Sequence, residues 1–144
     1  MIKLAWLFPM TLLALSHAVF AASPGPETSA EIDSLLAYIG RSDCRFYRNG
    51  SWHDARTAED HVRGKFLYFS ARQEIHSTED FIALAATKSS LSGRPYRVKC
   101  PGAPEQTSAA WLLGELHRER TMRSGEKPRA RPSIQLDTPY PPEH

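Results

Sequence analysis

The chemistry this chain can offer near neutral pH begins with two histidines and a lysine, His53, His61 and Lys65. On a helix, His61 and Lys65 sit four apart and share one edge of an apolar stripe, whereas Arg63 turns about 160° away from Lys65. A His61 and Lys65 pair beside His53 suits a small anion or carboxylate, the cations supplying charge and the imidazole a donor. The alternative reading of the same edge is structural: long side chains cover the core while their charged heads stay in water. A catalytic reading makes His53 or His61 a general acid or base and requires a partner that sets its pKa.

Other chemistries find less support. His53 and His61 with Asp54, Glu59 or Asp60 do not have the spacing of a recognised zinc site, and a closed site needs four ligands. Ser89, Ser90 and Ser92 precede Gly93, but no Lys-Ser/Thr follows the glycine and no strand is expected before the loop, so a serine-rich helix exit explains them. There is no G-x-S-x-G motif. No metal and no cofactor is expected.

The chain opens Met-Ile-Lys, runs apolar from Leu4 to Leu15 and continues Ser16-His17-Ala18-Val19-Phe20-Ala21-Ala22, the three-part pattern of a signal peptide. Small side chains at Val19 and Ala21 predict cleavage after Ala21, so the mature chain begins at Ala22. Pro9 interrupts the apolar run, which falls short of the roughly 20 residues of a spanning helix, so no transmembrane segment is expected in the mature chain. No cysteine lies near the cut, which excludes lipid attachment there. Removing residues 1–21 takes away Lys3 alone and leaves 17 basic against 16 acidic side chains. That balance argues against nucleic-acid binding, which needs a focused basic excess.

Cys44 and Cys100 are the two cysteines, and both lie in the exported part, where an oxidising compartment favours a disulfide. Only one intramolecular pairing exists for them; the alternative is two free buried thiols. Neither belongs to a C-x-x-C pair.

The elements that must position these residues are legible from periodicity. After a flexible lead at 22–27, Thr28 to Glu31 reads as a capping box, Ile32, Leu35, Leu36 and Ile39 form a helical stripe, and Gly40 is the expected stop. Asn49-Gly50 between two short runs predicts a hairpin. A second helix is expected from Asp54 or Thr57 to about Ala71, with Ala55, Ala58, Val62, Phe66 and Phe69 on its buried side. Ser77 to Asp80 resembles a capping box for a third helix carrying Phe81, Ile82, Ala85 and Ala86. Tyr96 to Cys100 reads as a strand, and Thr107 as the cap of a fourth helix with the stripe Ala109, Leu112, Leu113 and Leu116, from which Trp111 falls well off. The expected fold is a single α+β domain over residues 28–121: four short-to-medium helices, a small hairpin and one further strand, stapled by one disulfide. Residues 122–144, rich in Pro and Arg, are expected to be a disordered tail that folding does not need.

Several segments in order, Phe46 to His53, His61 to Lys65, Thr78 to Ile82 and Ser89 to Tyr96, resemble the domain of unknown function 5329 family of small exported proteobacterial proteins. The resemblance implies a periplasmic location and one folding unit, and no activity. The polar residues matching that pattern are Arg48, Asn49, His53, His61, Arg63, Lys65, Ser89, Ser90 and Tyr96; of these Asn49 has a sufficient reason in the turn. Arg48, His53, His61, Lys65, Ser90 and Tyr96 remain as candidate binding residues. The expected function is a small periplasmic binding module for a protein, a cell-wall fragment or a small anion. Its face would be the hairpin and the start of helix two, where Phe46, Tyr47, Trp52 and Tyr96 mix with Arg45, Arg48 and Arg97. The alternative is a small periplasmic enzyme using His53 or His61.

Overall fold

The computed structural model describes residues 24–125. The expected signal peptide at 1–21, the start of the lead and nearly all of the tail lie outside the described residues. Helix α1 spans Pro26–Arg41, begins on a proline whose missing N–H is no loss in a first turn, and buries Ile32, Leu35, Leu36 and Ile39 almost completely. The Thr28 to Glu31 capping box does not form. Glu31 instead turns into the protein, where it accepts hydrogen bonds from Thr78 Oγ1 at 2.6 Å and from Arg120 Nε and Nη2 at 2.8 and 2.7 Å. Gly40 is not a stop either: the helix continues to Arg41, and the bare Gly40 backbone leaves room for the Glu59 carboxylate of the next helix.

Strands β1 (Arg45–Arg48) and β2 (Ser51–His53) form the hairpin expected from Asn49-Gly50, whose φ values of 50° and 95° are those of a two-residue turn with both centres left-handed. Helix α2 (Ala55–Ala71) follows after a single residue, Asp54, whose side chain accepts from the Thr57 N–H at 2.7 Å. It ends with Gln73 at φ 57° in the closing turn, where the Gln73 and Glu74 N–H groups bond to the Ser70 and Phe69 carbonyls. Helix α3 (Thr78–Phe81) carries the Ser77 and Asp80 capping box. The expected third helix then widens into a π-helical turn, Ile82–Ala86, with Phe81, Ile82, Ala85 and Ala86 all buried as the apolar spacing requires.

Strands β3 (Arg97–Lys99) and β4 (Gln106–Thr107) complete an antiparallel sheet in the order β2-β1-β3-β4. β4 is too short to carry an alternating pattern and was not expected. It holds the chain flat against β3 through the pairs Arg97 with Thr107 and Val98 with Gln106. Thr107 then caps α4 (Ser108–Arg123) by accepting from the Ala110 N–H. The helix extends two residues past the expected domain boundary.

The Cys44–Cys100 disulfide is present. Its two residues continue the β1 and β3 register one step beyond the Arg45 and Lys99 pair, with Cα atoms 4.1 Å apart. Closing a loop across 56 positions stabilises the domain by about 4 kcal/mol in the chain-entropy view.

Helix α4 packs differently from its expected stripe. Leu112 and Leu116 are buried, but Leu113 is exposed, and Trp111 stacks on Tyr38 at 4.4 Å and meets the Phe46 ring edge-on at 5.5 Å. The helix lies against both α1 and the sheet, so its apolar face is wider than one stripe and reaches round to Trp111.

Candidate functional site

The pleat of β1 decides which residues meet. Phe46 and Arg48 point inward, Arg45 and Tyr47 outward, and the same alternation turns Tyr96 and Val98 inward and Arg97 outward. The mixed aromatic and arginine face expected from the sequence is therefore two faces. Phe46, Arg48 and Tyr96 belong to the interior side, while Arg45, Tyr47, Trp52 and Arg97 belong to the outer one.

On the inner side, Arg48 at the end of β1, His53 at the end of β2, His61 two turns into α2, and Tyr96 line one cavity of about 30 Å³. Its floor is apolar, from Ile39, Phe46, Ala58 and Val62, and Thr57 and Ser108 add hydroxyls. Arg48 Nη1 donates to His61 Nδ1 at 2.6 Å. A guanidinium only donates, so Nδ1 carries the lone pair and Nε2 the proton, and Nε2–H donates to Tyr96 Oη at 2.9 Å. The Tyr96 hydroxyl proton is thereby left for another acceptor.

Electrostatics match that assignment. Burial, and then the positive charges of Arg48, Lys65 and His53, push the His61 imidazole down to about 4, so it is neutral at pH 7. Burial also raises the Tyr96 phenol, which stays protonated. Lys65 does not line the cavity. Its ammonium lies 5.4 Å from the centre of the Tyr96 ring and donates to the Lys88 carbonyl at 2.8 Å, and burial followed by the Lys88 charge lowers its pKa. Among the described residues none of Arg48, Lys65 and Lys88 has a carboxylate partner.

Ser90 is not brought in. It is exposed in the loop between Ser89 and Gly93, whose buried Ser89 hydroxyl accepts from the Leu91 and Ser92 N–H groups. That loop touches the hairpin turn through Ser92 Oγ, which donates to Asn49 Oδ1 at 2.8 Å. Ser108 was not expected. Its signal was its place four residues before Leu112 and eight before Leu116, a polar side chain on an apolar stripe.

No group of three or more His, Cys, Asp or Glu among the described residues is placed to hold a metal ion, and no described helix is long and apolar enough to cross a membrane. The chain is similar to the uncharacterised protein YfeK of Salmonella typhimurium, 34% identical over 76 residues that make up 52% of this chain and 62% of that protein. The matched stretch thus spans less than two thirds of that relative. No solved structure matches this chain. The family model that matches residues 26–120, from the first helix to the fourth, shows that the chain belongs to the family of unknown function DUF5329.

Proposed function

We propose that this chain is an exported periplasmic binding module whose inner cavity receives a small carboxylate or comparable oxyanion. The observation that carries the reading is the Arg48 guanidinium, which spends a donor on a neutral imidazole rather than on a carboxylate. Arg48 has further N–H groups to offer, and the free Tyr96 hydroxyl proton is a second donor. The charges acting on His61 are all positive, so the surroundings favour an incoming negative group. A cavity of about 30 Å³ has room for one or two water-sized groups, which suits a carboxylate and not a large ligand. Export is supported by the sequence of residues 1–22 and by the disulfide, which fits an oxidising compartment.

The enzyme reading with His53 or His61 as general acid or base has less behind it. Both ring nitrogens of His61 are engaged, and neither histidine is hydrogen-bonded to a carboxylate among the described residues.

Titration of the protein with acetate, followed by NMR of the His61 and Tyr96 side chains, tests the binding reading. Saturable shifts confined to Arg48, His61 and Tyr96 are expected. Arg48→Gln should weaken binding about tenfold, as the loss of a charge-assisted hydrogen bond does. Shifts that spread over the surface lysines and survive Arg48→Gln would defeat the reading.

A further inference from the structure

The outer face of the sheet holds an arrangement that folding does not explain. Arg45 on β1 stands directly opposite Lys99 on β3, and like charges facing across two strands repel. Neither has a salt-bridge partner among the described residues. Asp54 feels the Arg45 charge but is held at the start of α2 by the Thr57 N–H. The neighbouring cation is treated otherwise: Arg97 is paired with Glu105 at 2.7 Å and lies over the Tyr47 ring at 4.2 Å. Arg45 Nη2 donates to the Trp52 carbonyl at 3.4 Å, and the Arg45 and Lys99 pair is the part of this face without a carboxylate in contact.

Beside it stands Trp52, 38% exposed, braced by the Tyr47 ring edge-on at 5.3 Å. Arg45, Trp52 and Lys99 together line an open, shallow groove of about 330 Å³. An indole plate beside two cationic side chains suits a ligand that is flat and apolar on one side and anionic at one edge.

We propose that this groove binds an acidic saccharide, with a sugar ring stacked by its C–H face on Trp52 and the ring's carboxylate held between Arg45 and Lys99. The carboxylate would relieve the repulsion of the two cations, and the sugar hydroxyls would stay in water on the open side. A saccharide ring suits the groove because its wall is mostly apolar, which the C–H face of a sugar can cover. This site is separate from the inner cavity, being on the opposite face of the sheet.

Calorimetric titration of the full chain with oligogalacturonate tests the proposal, with a neutral malto-oligosaccharide and oligoglutamate as comparators. Oligogalacturonate should bind at least tenfold tighter than either. Trp52→Ala should weaken it about tenfold, with a drop of a few degrees in melting temperature as the edge-on contact with Tyr47 is lost. Lys99→Glu should abolish binding while raising the melting temperature, since the strand pair then carries opposite charges. Equal binding of oligoglutamate would show that charge alone, or a peptide, is recognised, and the proposal would fall. It would fall as well if oligogalacturonate did not bind, or if its affinity survived both substitutions.

Discussion

Arg48 and His61 are joined by a 2.6 Å hydrogen bond in which a permanent cation donates to a neutral imidazole. The bond exists because the hairpin turn and the one-residue link from β2 to α2 set the end of β1 over the second turn of the helix. It fixes the tautomer of His61, the orientation of Tyr96 and the sign of the local field at once.

The first consequence is a pH dependence of stability. His61 has a folded pKa near 4 against an ordinary 6.5, so between those values the unfolded chain binds a proton that the folded chain does not. Stability should be complete above pH 6.5 and fall as the pH drops toward 4. Urea midpoints at pH 7.5, 5.5 and 4.5 measure this, and His61→Gln should flatten the profile over that window. An unchanged slope in the variant would assign the dependence to other groups.

Glu31 acts in the opposite sense on the charge scale. The hydrogen bond from Arg120, against the cost of burial and with help from Thr78 and Arg123, holds its carboxyl down to about 2. Its contribution is therefore present above the ordinary value of 4.5 and is lost as the pH falls toward 2. Glu31→Gln should cost about 2 kcal/mol at pH 7, because it removes the buried acceptor that ties α1 to α3 and α4 and leaves the half-exposed Arg120 with Glu79. Chemical denaturation measures the loss, and a cost below about 1 kcal/mol would show that the network contributes only as a surface pair does.

The turn after α2 offers a stabilising change. Gln73 sits at φ 57°, a conformation that strains a side-chain-bearing residue and that glycine adopts freely. Gln73→Gly should raise stability by about 1 kcal/mol, since its own side chain is exposed and the two closing hydrogen bonds come from the backbone. Thermal unfolding decides it; a lower melting temperature would mean that the freedom glycine gains in the unfolded chain outweighs the relieved strain.

The sequence by itself determined the local elements of this protein. The Asn49-Gly50 turn, the Thr107 cap, the Ser77 to Asp80 capping box and the stripes of α1 and α2 each depend on residues within one or two turns of one another, and all form, while the structure chose Asp54 over Thr57 as the start of α2. Two cysteines in a chain expected to be exported allowed one disulfide or two free thiols, and the disulfide forms. Tertiary structure decided the partners of long polar side chains and the width of buried faces. Glu31 fitted a local cap by spacing, yet its partners Thr78 and Arg120 are 47 and 89 residues away. Trp111 left its helix's stripe because α4 meets the sheet as well as α1. Whether Arg48 shares a face with His61 or with Trp52 depends on the register of β1, and a one-residue slip would exchange the two faces. Side-chain type is written in the sequence, but the side of the sheet on which a side chain emerges is set only when the strands pair.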